Sequence, residues 1–389
     1  MPSGRNFKKE AFLCGHYEAQ DVLTQVDDVD LICFEPGPSY EFKDKWQRKL
    51  MFRDFTGRLI LMNPGLHRVR LTREYDVFLV RCQTEKDLPD INAINGWKER
   101  CKTSVCWIDE FWAAQIPQNK NFLHVFKQFD HIFVGFHGTA IPLSKAIDRP
   151  VHWLPGGVDT LRFTPYPDPP ARVIDIYSIG RRREETHRKL LHAADLTKIF
   201  YIYDTSAGSM SEVYDHRQHR DHFANVVKRS RYFMVAPGKV CSSAETQGQS
   251  EIGHRYYEGA AAGAVMIGEP PNSATFRQMF PWLDAVIPIH PDGTDVVEVL
   301  AELASDPARV SAASQRNAVG ALLHHDWVYR WARLLKVAGL EPSAGMVSRE
   351  LQLKTLASEI SGSAGSIDLC GAPSFKTAVP SPEAHRNDD

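Results

Sequence analysis

The chain predicts an α/β protein of two consecutive domains, each a mostly parallel sheet covered by helices, followed by a C-terminal tail. Three observations carry this reading. Its 389 residues exceed the scale of about 150 residues expected for one ordinary domain. Short runs rich in Val, Ile, Leu and Phe alternate with longer amphipathic stretches, the pattern of repeated βαβ units. The alternation is broken once, by Pro155-Gly156-Gly157 and the proline-rich stretch 165–170, and then restarts. Proline fixes φ and holds its predecessor extended, so residues 155–170 read as a semi-rigid linker.

In the first unit, residues 1–155, the expected strands are 11–14, 31–34, 59–62, 77–81, 105–108, 132–135 and 151–154, with helices over 42–55 and 122–128. The second unit, 156–341, restarts with a strand at 173–179, a helix at 184–194, a strand at 199–203 and a helix at 213–229. A strand at 232–236 leads into a long loop, 237–250. A helix at 253–263, strands at 264–268 and 285–289, a helix at 294–305 and a closing helix at 324–338 complete it. From residue 342 the chain turns to Ser, Gly, Ala and Pro, a composition that buries little apolar surface, so 342–389 reads as a disordered tail. Leu351, Leu353 and Leu356 leave room for one short docking helix there.

Composition narrows the partners. Hydrophobic residues make up 43% and charged residues 24% of the chain, which supplies substantial cores and excludes chain-wide disorder. The formal charge is only −2, so no global field draws the chain to nucleic acid or an anionic membrane; no nucleic acid is expected as a partner, and any anionic ligand must be met by local charge. Seven cysteines form no CxxC pair and no zinc spacing, which suits a reducing compartment. No segment reaches the roughly 20 apolar residues of a membrane span, and the N-terminus lacks a signal-peptide core. A cytoplasmic location is the expectation.

Two stretches point to chemistry. Residues 250–268 run from a polar loop through Ser250, Glu251 and Gly253 into a helix carrying His254, Arg255 and Glu258, then into an apolar strand. A helix N-terminus offers free N–H groups and partial positive charge, which suits a diphosphate, and Arg255 adds a charge-assisted contact. Glu258, a turn further in, is an acceptor suited to paired hydroxyls such as those of a ribose. A packing helix with a surface carboxylate explains the same residues without a ligand. The second stretch is the strand 175–179 running into Gly180-Arg181-Arg182-Arg183. Arginines at the carboxyl end of a strand lie where open α/β sheets bind ligands, and their fork suits phosphate. Solvated charge on the following helix is the alternative, more so for Arg183 than for Arg181.

These stretches, in this order and after this linker, resemble the GT-B glycosyltransferases, most closely glycosyltransferase family 4 and its CgeB-like relatives. Residues 153–165 are similar to the interdomain signature in which a strand precedes Pro-x-Gly-Val-Asp and then Phe-x-Pro. Residues 178–182 resemble the first strand and basic turn of the donor domain, and residues 250–268 its E-x7-E helix. One departure is visible: the family's first glutamate, which the resemblance places at the transferred sugar as a catalytic residue, falls on Ser250; either Glu251, one residue late, shifts into that role through the loop or the first carboxylate is absent, while Glu258 keeps the second position.

The resemblance implies two Rossmann-like domains facing across a cleft, with acceptor on the first and nucleotide sugar on the second. It implies donor contacts from Gly180, Arg181 or Arg182, Ser250, Gly253, His254 and Arg255, and a ribose contact from Glu258. Transfer without a metal ion or other cofactor is implied, with retention of anomeric configuration, to a small-molecule, glycan or lipid-linked acceptor.

In the first unit, Asp109 follows a strand and suits acceptor contact or base catalysis, although a helix N-cap accounts for it equally. His137 and the Gly15-His16 pair are weaker candidates of the same kind. His216, His219 and His222 share helical spacing, but a polar helix face explains them better than a metal. Two rivals remain: an epimerase of the same fold, and a nucleotide-sugar-binding regulator without turnover, which the displaced first glutamate favours. A dehydrogenase is disfavoured by the lack of a GxGxxG after an early strand.

Overall fold

A computed structural model describes residues 1–51, 57–120, 123–197, 199–204, 212–240 and 242–362. Two parallel sheets organise them. The first has four strands in the order Tyr75–Cys82, Cys101–Ile108, His131–Val134 and His152–Trp153, every neighbouring pair parallel. The second has five, in the order Tyr201–Tyr203, Ile174–Ser178, Ser230–Val235, Val265–Gly268 and Ile287–Pro288, again all parallel. Central strands of both are continuous apolar runs because both faces are covered: Val105 to Ile108 and Val265 to Ile267 are buried throughout. Gly268 ends its strand at φ +150, where a Cβ would collide with the Val235 carbonyl.

Two expected strands are corrected. Residues 11–13 form a 3-10 turn that continues into the helix Cys14–Val26, whose Cys14, Tyr17, Ala19, Val22, Leu23 and Val26 are buried at helical spacing. The first strand is instead Pro2–Ser3, paired with Ile32–Cys33. Residues 59–61 are likewise a 3-10 turn, its Leu59 and Met62 carbonyls taken up by the buried Gln47 amide. A four-residue apolar run has no period of its own, and the side chains it meets decide its form. The expected helix at 42–55 is Tyr40–Leu50, and residues 52–55 lie outside the described residues, as does residue 122 of the helix seen as Leu123–Phe126.

The tail is corrected more substantially. Ala344–Gly362 is a 19-residue helix with Met346, Leu353, Ala357 and Ile360 buried; residues 363–389 lie outside the described residues. Ser343 Oγ donates to the Val26 carbonyl, and Gly345 permits a backbone approach there that a Cβ would block. Arg349 then reaches Asp159 at 2.6 Å and Asp326 at 2.8 Å. The helix therefore crosses back to the first domain and fastens onto the 155–170 segment. Trp327–Val337, N-capped by Asp326, closes the same face: Trp327 and Trp331 pack with Trp107 and Phe133 of the first sheet in one core. Asp159 accepts from the Arg162 N–H and so caps a short helix, Thr160–Phe163, which gives the linker internal structure.

Candidate active site

The carboxyl ends of both sheets open onto one cleft of about 760 Å³. Gln83, Asp109 and Gly135, each just past a strand of the first sheet, line one wall. Residues 178–183, 236–239, 253–255 and 268–269, past strands of the second, line the other. Loops at the carboxyl ends of parallel strands are where open α/β sheets bind ligands.

The second-domain wall is basic. Gly180 turns the chain at φ +82 after Ile174–Ser178, and a Cβ there would lie 3.6 Å from Arg255 Nη2. The arginine turn and the 250–268 stretch, far apart in sequence, therefore meet. Arg181 is exposed and makes no ion pair among the described residues. Arg182 donates to the Asp204 carbonyl at 2.5 Å and lies over the Tyr203 ring. Arg183 is paired with Glu269. Gly253 N-caps the helix His254–Ala261 with an extended backbone, and burial holds the His254 imidazole below its ordinary pKa. Lys239, which the sequence reading passed over, reaches across to Glu110 at 3.1 Å and pairs with Glu245 at 2.6 Å.

Glu258 takes a different place from the one expected. It is 2% exposed and sits behind the cleft wall, with Oε1 on Arg220 at 2.5 Å and Oε2 on Arg255 at 2.6 Å. Burial raises its pKa, but Arg255 and Arg220 outweigh that and bring it to about 2. Arg220 in turn donates to Glu18 of the first-domain helix at 2.7 Å. Glu18 is fully buried and also accepts from the Asp159 N–H and Trp327 Nε1. Glu18, Arg220 and Glu258 thus tie the two domains together behind the cleft. The ribose role is corrected: both oxygens are engaged by guanidinium groups, and Arg255 is the member of the pair that reaches the cleft.

Glu251 is corrected as well. Its carboxylate accepts from the backbone N–H of His137 at 3.1 Å and Gly138 at 2.9 Å, capping the first-domain helix His137–Ile147, whose open N–H groups attract a carboxylate. Gln249 joins in, bonding Glu251, Thr139 and the Ala113 N–H. Burial raises the Glu251 pKa. Ser250 lies between these two struts, and neither it nor His137 is part of the cleft lining. The His137 ring packs edge-on against Trp153, and burial lowers its pKa. The loop that the spacing placed at the transferred sugar is an interdomain strut.

Asp109 does face the cleft. It is 8% exposed and held from behind by Arg81, with Nε on Oδ1 and Nη2 on Oδ2 both at 2.9 Å, and by His16 Nδ1 at 3.1 Å. Burial would raise its pKa, but Arg81 and His16 win and lower it. Burial and Arg81 lower that of His16, which keeps the ring neutral. Arg81 is itself clamped between the Trp107 and Trp327 rings, 4.5 and 4.6 Å from their centroids. The histidine trio diverges: His216 bonds Asp21 at 2.9 Å, His219 lines the cleft and His222 is exposed. Among the described residues no group of three or more His, Cys, Asp or Glu converges on a metal-sized site.

The sequence reading missed Glu18, Arg81, Arg220 and Lys239. Arg220 stood inside the histidine run, where helical spacing from His216 was a usable signal. Glu18 and Arg81 had none, because their partners are about 200 and 28 residues away.

Residues 181–336 match the family model described as glycosyl transferase-like. No curated protein sequence matches the chain. Among solved structures, an alpha-glucosyltransferase in complex with UDP-glucose and DNA containing an abasic site is 12% identical, with a TM-score of 0.47, covering 87% of this chain and 98% of that one. Anabaena HepE in complex with UDP and glucose is 8% identical, with a TM-score of 0.45 over 87% and 98%. A Rickettsia africae glycosyltransferase is 10% identical, with a TM-score of 0.44 over 80% and 84%. Residues 181–336 are similar to this glycosyl transferase-like family, and they supply the second of the two parallel sheets whose carboxyl ends meet at one cleft.

Proposed function

We propose that the chain transfers a sugar from a nucleoside-diphosphate sugar, held on the second-domain wall, to an acceptor hydroxyl presented by the first-domain wall. The observation that carries this is the meeting of the Gly180–Arg182 turn with Arg255 at the start of the His254–Ala261 helix, with Arg181, Arg182 and Arg255 inside the segment matched by the family model. Arg181, Arg182, Arg255 and the backbone N–H groups at that helix start supply fixed positive charge for a leaving diphosphate. With that charge coming from side chains, the transfer runs without a metal ion or other cofactor. Asp109, kept ionised by Arg81 and His16, accepts a hydrogen bond from a neighbouring hydroxyl of the acceptor and so aims the attacking one, whose own proton stays free for the leaving phosphate. We assign the retaining course, in which the departing phosphate oxygen takes the acceptor proton on the same face of the sugar. The acceptor is a small molecule, a glycan or a lipid-linked sugar.

A panel of nucleotide sugars tests this by calorimetry and by release of nucleoside diphosphate, with and without EDTA. Donor binding with release, unaffected by EDTA, is the expected result, and the product anomer read by NMR gives the stereochemistry. Absence of both binding and release would sink the assignment. Binding without release across many acceptors would favour the regulator, a reading the displacement of Glu251 onto the first-domain helix supports.

A further inference from the structure

The helix Tyr40–Leu50 of the first domain is packed on one face only. Tyr40 meets the Phe7 ring at 5.0 Å between centroids, Gln47 is buried on the 59–62 turn, and Met51 just past the helix is 1% exposed. Positions 40, 47 and 51 share that face at 3.6 residues per turn. The outer face carries Phe42, Trp46 and Leu50, spaced four apart and 68%, 47% and 38% exposed. Leu61 and Met62, on the turn that Gln47 holds against the helix, are 45% and 55% exposed. Scattered apolar side chains on a surface need no explanation, but a stripe of three along one helix face, with two more on the adjoining turn, does.

Charge selects the partner. Lys43, Lys45 and Lys49 are exposed and make no ion pair among the described residues. At 100° per residue, Lys45 and Lys49 fall on one shoulder of the stripe and Lys43 on the other. Lys49 Nζ lies 5.8 Å from the Trp46 ring centroid. Of the two acids on the helix, Asp44 is paired with Arg48 and Glu41 is exposed at its start. An apolar stripe containing Phe and Trp with lysines along its shoulders is the pattern of a helix lying in the headgroup plane of a bilayer. The rings and Leu50 enter the acyl boundary while the lysine stems carry their ammonium groups to anionic phosphates. Five apolar side chains fall short of the roughly 20–30 residues per partner of a stable dimer interface, and like charges around the rim oppose pairing with a second copy.

We propose that this helix docks the first domain on an anionic lipid surface. The helix is coupled to the cleft, since Arg48 also pairs with Asp87 at 3.4 Å, three residues past Thr84 of the cleft lining. Docking therefore fixes the acceptor wall relative to the lipid. No helix among the described residues is long and apolar enough to cross a membrane, so attachment is at the surface.

Flotation of the full chain with phosphatidylcholine vesicles, with and without phosphatidylglycerol, tests the proposal independently of any glycosyl transfer. The chain floats with the anionic vesicles and is released by salt. Phe42→Ser/Trp46→Ser/Leu50→Ser weakens binding more than about tenfold, and Lys43→Glu/Lys45→Glu/Lys49→Glu weakens it by roughly fivefold per lysine. Thermal unfolding of both variants stays at the wild-type temperature; should the serine variant unfold, the lysine variant decides. Failure of the wild-type chain to float, or equal flotation of a folded variant, overturns the proposal. A concentration-dependent dimer by sedimentation that the serine variant abolishes assigns the patch to a second copy instead.

Discussion

The two walls of the cleft handle charge in opposite ways. On the second-domain wall Arg181 is exposed and unpaired among the described residues, and Arg255 keeps its contact with Glu258 while reaching the cleft. On the first-domain wall Asp109 is satisfied from behind by Arg81 and His16 before any ligand arrives. Under the proposed transfer, the second-domain wall neutralises an incoming diphosphate and needs charge left over. The first-domain wall would then aim a neutral acceptor and need one hydrogen-bond acceptor held in place, for which the Trp107–Arg81–Trp327 stack supplies rigidity. Behind both walls, Glu18–Arg220–Glu258 joins them with almost no solvent access.

That common anchor is where the comparison breaks most severely. Arg220→Ala strands two buried carboxylates and is expected to lower stability by about 3–5 kcal/mol, measured by chemical denaturation. An Arg220→Ala chain as stable as wild type would mean that the walls are held by packing alone. Acid is expected to weaken the same region. Burial and Arg220 bring His219 down to about 4, and burial and Arg330 bring His324 to about 4. Both fold as neutral rings whose contribution is full above the ordinary value of 6.5 and is lost as pH falls from there through 4, on the order of 1–3 kcal/mol each. Glu258 adds a second loss as pH falls from 4.5 through 2. Unfolding free energy measured from pH 8 to pH 4 should therefore decline, and a flat profile would contradict it.

Separating the walls takes kinetics. Asp109→Asn should lower kcat/KM for the acceptor by about a hundredfold with donor affinity unchanged, read by steady-state assay and calorimetry. Arg181→Ala should do the converse, weakening donor binding roughly tenfold without altering acceptor KM. If each variant moves both parameters equally, the division of labour is wrong. The smallest effect is expected from Lys239→Ala, since its half-exposed pairs with Glu110 and Glu245 are worth at most about 1 kcal/mol; a thermal melt should barely move.

Sheet strands and most helices were legible because burial on both faces leaves an apolar run between polar stretches, as at 105–108 and 265–268. The Gly180–Arg182 turn and the helix at Gly253 were legible because they are local motifs at strand ends. Residues 11–14 and 59–62 misled because four apolar residues fit a turn as well as a strand. The helix Ala344–Gly362, expected at most as one short docking helix around Leu351–Leu356, was masked in its full length by Ser, Gly and Ala, which let it press against Val26 and the hinge.

The sequence alone determined that the chain is two α/β units joined at a proline-rich hinge, with a basic turn and a helix start suited to phosphate. Those features depend on periodicity and on residues close along the chain. Only the tertiary structure decided which carboxylates face the ligand. The same pair of glutamates seven residues apart, Glu251 and Glu258, became a helix cap and a buried anchor. Their partners, the His137 N–H and Arg220, come from distant segments, and a buried carboxylate goes where donors already wait for it. Asp109, with no distinguishing motif, was left facing the cleft because Arg81 and His16 hold it there.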